Sequence, residues 1–160
     1  MQMKPRTAAT VVALALAGLA LSAPTAGASG TKLSQSAAAA QFSGAGITWS
    51  SSGGCTTRSN SSCTSFDQIN SGTVSAIITL KQASGCAVNI TGGTEVGHAS
   101  GTYSHYNGYK VDISRNSCID NYIQNSFTYI GYRSDGYPQW KAASGNLYCN
   151  EGSHWDILVY

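Results

Sequence analysis

Charge is scarce in this sequence, and what there is cancels. Only 10% of the 160 residues are Asp, Glu, Lys or Arg. Nine are basic and seven acidic, but two of the basic ones, Lys4 and Arg6, fall within the first six positions. Beyond residue 28 the tally is seven of each sign. No basic footprint remains for nucleic acid, whose phosphates require one. There is no Cys-x-x-Cys pair, which removes the usual cysteine zinc sites. There is no internal repeat. Histidine is also rare: His98, His105 and His154 are the only three.

Present instead is a leader-like N-terminus. The positive start is followed by an almost unbroken Ala, Val and Leu run from Thr7 to Ala23. Pro24 and the small residues Thr25-Ala26-Gly27-Ala28 come next, and Ala26-x-Ala28 fits a signal-peptidase site. A membrane anchor is the competing reading, since the run approaches a spanning length. No basic stop-transfer segment follows, so residues 1–28 read as a signal peptide and the chain as secreted, with no membrane contact after cleavage. The remaining 132 residues suffice for one domain with a real core.

All five cysteines, at 55, 63, 86, 118 and 149, lie past the leader. An oxidising destination makes disulfides the default. Cys55 with Cys63 closes a small loop, and Cys118 with Cys149 a larger one, leaving Cys86 over; other pairings stay open.

Residues 29–46 are small and Ala-rich, and read as a linker, tail or short helix outside the core. Residues 47–160 form the domain. Its first stretch, to Ser65, is dense in Ser, Gly and Thr and reads as a pinned surface loop. Apolar positions at helical spacing predict a helix over 73–83, with Ser71 as N-cap and Gly85 as stop. Strand patterns fall at 86–91, 109–114, 127–132, 147–149 and 155–160, with a short helix at 117–125. The class is therefore α+β: a small single domain with an antiparallel sheet, a packed helix and long disulfide-pinned loops.

Two of the histidines sit in unusual company. In Ser104-His105-Tyr106-Asn107-Gly108-Tyr109-Lys110-Val111-Asp112, Asn107-Gly108 is a two-residue hairpin signal. Such a hairpin sends His105 and Asp112 out of one face as diagonal neighbours, where a divalent ion can bridge them. Lys110 would share that face, which is unfavourable beside an ion. The second segment is Glu151-Gly152-Ser153-His154-Trp155-Asp156. Here His154 is a third ligand, Glu151 lies within reach of a water in the fourth position, and Asp156 can orient His154 from behind.

Together, H-x-x-G-x-x-V-D followed by E-x-x-H-W resembles the zinc D-Ala-D-Ala peptidases of the M15 kind, in the hedgehog-like and lysostaphin-like group. His105, Gly108, Asp112, Glu151 and His154 match that pattern in order and spacing, and Ile90-Thr91-Gly92-Gly93 is similar to the I-T-S-G segment before it. The likeness runs from about residue 73 to the end. It implies a Zn2+ held by His105, Asp112 and His154, with Glu151 as general base. The implied substrate is a peptidoglycan stem or cross-bridge peptide, cut in the cell wall by a monomeric carboxypeptidase or endopeptidase. There are departures: Tyr103 replaces a Ser, Lys110 replaces a small residue, and Glu95 stands where an Arg often polarises the substrate carbonyl. A tyrosine or Arg133 would have to stabilise the oxyanion instead.

Blander readings exist for each residue. His105 with Asp112 can be a polar hairpin face, and Glu151 with His154 a turn entering a strand. His98 reads as a loop histidine with a polar partner, ligation being the alternative. Trp155 could line a cleft, and Glu95 could pair with Lys110. The competing function is a non-catalytic, disulfide-stabilised secreted binding module.

Overall fold

The computed structural model describes residues 30–160, so the leader lies outside the described residues. Within them the order is β1 (Lys32–Leu33), α1 (Gln35–Gly44), β2 (Thr48–Trp49), β3 (Ile69–Asn70), α2 (Ser71–Ser84), β4 (Asn89–Gly92) and β5 (Lys110–Ser114). Then follow α3 (Ser117–Ser126), β6 (Thr128–Tyr132), β7 (Pro138–Lys141), β8 (Leu147–Asn150) and β9 (His154–Leu158). Seven strands form one sheet in the order β2-β4-β5-β9-β8-β7-β6, antiparallel except for β2 with β4. A separate two-stranded ribbon joins β1 to β3. This is the α+β class that the residue pattern predicts.

The helices start and stop where local chemistry dictates. Ser34 Oγ accepts the Ala37 amide at the head of α1, and Asn116 Oδ1 accepts that of Ile119 at the head of α3. Helix α2 begins after Asn70, one residue before the expected cap, and ends at Gly85, whose φ of 67° is the left-handed stop. Its apolar stripe, Val74, Ile77 and Leu80, is buried together with Ile119 and Ile123 of α3.

Opposite them lie the odd-numbered positions of the central strands, Val111 and Ile113 of β5 and Trp155 and Ile157 of β9, all fully buried. Each such side chain contributes about 1.5–3 kcal/mol on burial. Period two then sends the even-numbered positions of β5 and β9 to the other face. That face carries the polar site.

Several expectations need correction. Residues 35–44 form the short helix, not a tail, and it belongs to the core: Ala38 and Phe42 are fully buried, and Phe42 meets Phe66 edge-on at 4.9 Å. The 47–65 loop contains β2, and Cys63, Thr64 and Ser65 are buried. Strand β7 was not expected, since its pattern is short and begins at a proline.

The disulfides are Cys55–Cys63 and Cys86–Cys118, and Cys149 is a buried free thiol. Cys149 lies on β8, on the sheet face of its cross-strand partner Asp156, which points it away from the helices and from Cys118. Trp155 lines no cleft; it is core, and its indole N–H donates to Asp120 at 2.7 Å. The 103–112 hairpin does not form either. Instead a turn closes with Gly108 N–H on the His105 carbonyl and Tyr109 N–H on that of Ser104, and β5 pairs with β4 and β9.

Candidate metal centre

The site is built on the register of β5 with β9. Asp112 stands opposite Asp156, and Ser114 opposite His154, all on the face away from the helices. The loop from 93 to 109 folds back over this face and delivers His105. Its turn is pinned at Gly108, whose carbonyl accepts the Asn70 amide at 3.1 Å and the Thr73 hydroxyl at 2.8 Å. A Cβ on Gly108 would come within 2.5 Å of the Gln68 carbonyl, and its φ is 80°. Glycine is therefore required there, which gives physical content to the Gly of the H-x-x-G pattern.

His105 is 5% exposed, and its Nδ1 lies 2.8 Å from the Gly93 carbonyl. A carbonyl only accepts, so Nδ1 carries the proton and Nε2 is the atom turned into the site. Nε2 is 3.3 Å from Asp112 Oδ1 and 3.9 Å from Asp156 Oδ1. Both of those oxygens are buried without a hydrogen-bond partner. Such orphans are costly, because a buried carboxylate oxygen has given up water for nothing. A cation among them would resolve the cost.

Burial works against a charge on His105, but the close contact with Asp112 and the charges of Asp112 and Asp156 outweigh it and raise its pKa above the ordinary value. A proton and a metal ion thus compete for Nε2.

His154, at the start of β9, brings its Nε2 to 3.7 Å from the same Asp112 Oδ1 and 3.1 Å from Glu151 Oε2. Two ligands of a tetrahedral ion with bonds of about 2.0–2.2 Å are separated by about 3.4 Å. The distances from His105 and from His154 to Asp112 Oδ1 match that edge. Two of the expected ligands, His105 and His154, thus approach one oxygen of the third, Asp112, and Glu151 stands beside His154. Asp156 does not orient His154 as expected: the Nδ1 of His154 meets Ser153 Oγ at 2.9 Å. Asp156 instead accepts from Lys110 Nζ at 2.7 Å and Arg133 Nη1 at 2.8 Å. Although burial would raise its pKa, Lys110 and its neighbours hold it below the usual value. This also disposes of the awkward Lys110, whose charge is spent on Asp156.

His98, His105 and Asp112 offer ligand atoms within 4.8 Å of one another and could hold a metal ion. In the arrangement seen, however, the His98 and His105 rings are stacked, 3.8 Å apart and only 15° from parallel. Imidazole lone pairs lie in the ring plane, so one ion cannot sit in both planes without a ring turning. His98 can therefore join His105 on one ion only if the stack opens, whereas His154, which lies outside that group, approaches Asp112 Oδ1 from β9.

Arg133, from the turn after β6, spans the cleft. It pairs with Glu151, with Asp156 and, through Nε and Nη2, with Asp135. These bonds raise its pKa further above its ordinary value. The cleft, lined by His98, His105, Lys110, Arg133, Glu151 and Asp156 among others, encloses about 310 Å³. Glu95 does not pair with Lys110. It is buried and accepts from the amides of Ser65 and Gly93 and from His98 Nε2.

Sequence reasoning missed the Arg133–Glu151 pair and the inward role of Glu95. Only the even-position rule on β5 and β9, which gathers Lys110, Asp112, His154 and Asp156 on one face, was available to hint at the charge network. Among the described residues no helix is long and apolar enough to cross a membrane. Comparison with known protein families, characterised proteins and solved structures finds no match for this chain.

Proposed function

We propose that this chain is a secreted zinc-dependent peptidase acting on peptide bonds of peptidoglycan stems or cross-bridges. The observation that carries the reading is the convergence of His105 Nε2 and His154 Nε2, at 3.3 and 3.7 Å, on the buried and unpartnered Asp112 Oδ1. Two imidazoles and a carboxylate from distant segments form the donor set zinc prefers. Two disulfides suit the exported destination that residues 1–28 suggest.

Bound zinc would supply Lewis acidity and bring the pKa of a coordinated water towards about 7. The chain's own residues do the rest. Glu151 Oε2, 3.1 Å from His154 Nε2, sits at the edge of the ligand set rather than within it. It takes the water's proton and returns it to the leaving amine nitrogen. Once protonated, Glu151 would weaken its ion pair with Arg133, and an Nη2 hydrogen would turn to the oxygen on which negative charge develops while Asp135 and Asp156 keep the guanidinium in place. Arg133 thereby fills the place that an arginine near position 95 holds in the M15 pattern.

Metal analysis of the purified full chain, with muropeptide hydrolysis by wild type and Glu151→Ala, tests this. One zinc per chain, with hydrolysis that disappears in Glu151→Ala while zinc is retained, is the expected result. Zinc without hydrolysis would leave a binding module on the same scaffold. Chains that take up no zinc would sink the reading.

A further inference from the structure

Glu95 is 3% exposed, and it makes more buried hydrogen bonds than any other acid in the site. Its Oε2 accepts the Ser65 amide at 2.8 Å and the Gly93 amide at 3.0 Å; its Oε1 accepts Gly93 at 3.0 Å and His98 Nε2 at 2.9 Å. Burial alone would raise its pKa, but these donors hold it below the ordinary value. Four donor contacts on one buried carboxylate form a clamp rather than a surface pair.

What the clamp holds is the Gly93 peptide. The N–H of Gly93 points at Glu95, and its carbonyl accepts Nδ1–H of His105 at 2.8 Å. That peptide is also wedged: a Cβ on Gly93 would fall 2.0 Å from the Ser65 carbonyl, so no other residue leaves the chain here. Glu95 grips the second wall too, because His98, whose Nε2 it holds, stacks face to face on His105. One carboxylate thus fixes the two surfaces that orient the His105 ring, its hydrogen-bond acceptor and its stacking partner.

We propose that Glu95 is the positioning residue of the metal centre. Through the Gly93 peptide and the His98 ring it holds His105 in the Nδ1–H tautomer with Nε2 facing Asp112. The inference deepens the metal-site reading and rests on it for its consequence, zinc affinity, but its structural half stands without metal. Partners of this kind typically change metal affinity by about 10–100-fold when removed.

The test uses the full chain, stripped of metal, with zinc binding read by competition against a chelator and the His105 tautomer read by long-range 1H–15N correlation. In wild type, His105 is expected as the Nδ1–H form. Glu95→Ala should weaken zinc about 10–100-fold and mix the tautomers of His105. Glu95→Gln keeps one oxygen able to accept from Ser65 and Gly93, with His98 reversing its tautomer to accept the amide. It should restore affinity to within a few fold, which a role for charge alone would not allow.

Wild-type affinity and an unchanged tautomer in folded Glu95→Ala would overturn the proposal. If Glu95→Ala does not fold, His98→Phe decides: it keeps the stack and frees Glu95, and should lower zinc affinity by less than tenfold with the tautomer retained. An Nε2–H tautomer in wild type or in His98→Phe refutes the clamp. Should wild type bind no zinc, the peptidase reading fails, and the tautomer comparison between wild type and Glu95→Ala still judges Glu95.

Discussion

Asp112 and Asp156 face each other directly across β5 and β9, and each keeps one oxygen buried without a hydrogen-bond partner, 3.3 and 3.9 Å from the same His105 nitrogen. Like charges directly opposite on neighbouring strands destabilise a sheet. Lys110 and Arg133 neutralise the outer oxygen of Asp156, but among the described residues no hydrogen bond reaches the two inner ones. On the proposed reading a cation is their partner, and several outcomes depend on it.

Zinc should stabilise the fold. A ligand that binds only the native state adds about 2.7 kcal/mol at a free concentration one hundred times its Kd. Differential scanning of the metal-stripped chain, with and without zinc, should show a rise in Tm that EDTA reverses. An unchanged Tm at saturating zinc would leave the orphan oxygens without their proposed partner.

The two possible third ligands can be separated. On the proposed ligand set the His98 ring stacks on His105 without joining the ion, so His98→Ala should retain one zinc per chain with weakened affinity. His154→Ala should lose stoichiometric zinc, because it removes a nitrogen 3.7 Å from Asp112 Oδ1. Equilibrium dialysis with metal analysis reads both. The reverse pattern would move the centre to His98.

Arg133→Ala should be costly in two ways. Glu151 and the buried Asp156 lose a charged donor, which costs about 1–3 kcal/mol in urea unfolding. If the guanidinium also serves the developing oxyanion, kcat on a muropeptide should fall about 10²–10³-fold with KM little changed. Arg133→Lys should recover part of the stability, as it restores the charge but not the fork that spans Glu151, Asp156 and Asp135.

How much of this could be read from the residues differs by level. Helices α2 and α3 and most of the main sheet's strands followed from period, and the proposed ligands from spacing plus the Gly at 108, because those signals are local. The arrangement that joins them is not local. A 103–112 hairpin was a sound reading of Asn107-Gly108, yet Gly108 turns the chain onto Asn70 and Thr73 of a distant helix, and β5 finds β9 instead. His105 and Asp112 still meet, by a different route. Glu95 and Arg133 escaped because their partners, Ser65 and Gly93 in one case and Glu151 and Asp156 in the other, are brought to them only by tertiary folding.

Away from the site, Asp120 ties the core to the surface. Burial would raise its pKa, but the bonds from Arg115 and from the Trp155 indole hold it below the ordinary value. A carboxylate depressed in the native state contributes stability that is present above its unfolded pKa of about 3.9 and lost as pH falls through the folded value. Asp120→Asn should therefore flatten the acid limb of the stability curve below about pH 4. Asp120→Ala, which leaves a fully buried indole N–H unpaired, should cost about 1–3 kcal/mol at pH 7 as well. Urea midpoints between pH 2.5 and 7 distinguish the two, and parallel curves for wild type and Asp120→Asn would refute the linkage.

The cysteines give the last test. Burial pushes the Cys149 thiol up to about 11, so near pH 8 it remains protonated, and only the thiolate attacks alkylating reagents. Iodoacetamide at that pH should leave the folded, unreduced chain unmodified and add one group once denaturant is present. Peptide mapping should then join Cys55 to Cys63 and Cys86 to Cys118. The second bridge spans 32 residues, tying the segment between α2 and β4 to α3, and its removal as Cys86→Ala/Cys118→Ala should cost about 3–4 kcal/mol on the loop-entropy estimate. A map that instead joins Cys118 to Cys149 would mean that β8 is turned over. Asp156 and Cys149 would then no longer share a face, and the Lys110–Asp156–Arg133 network beside His105 would be lost with them.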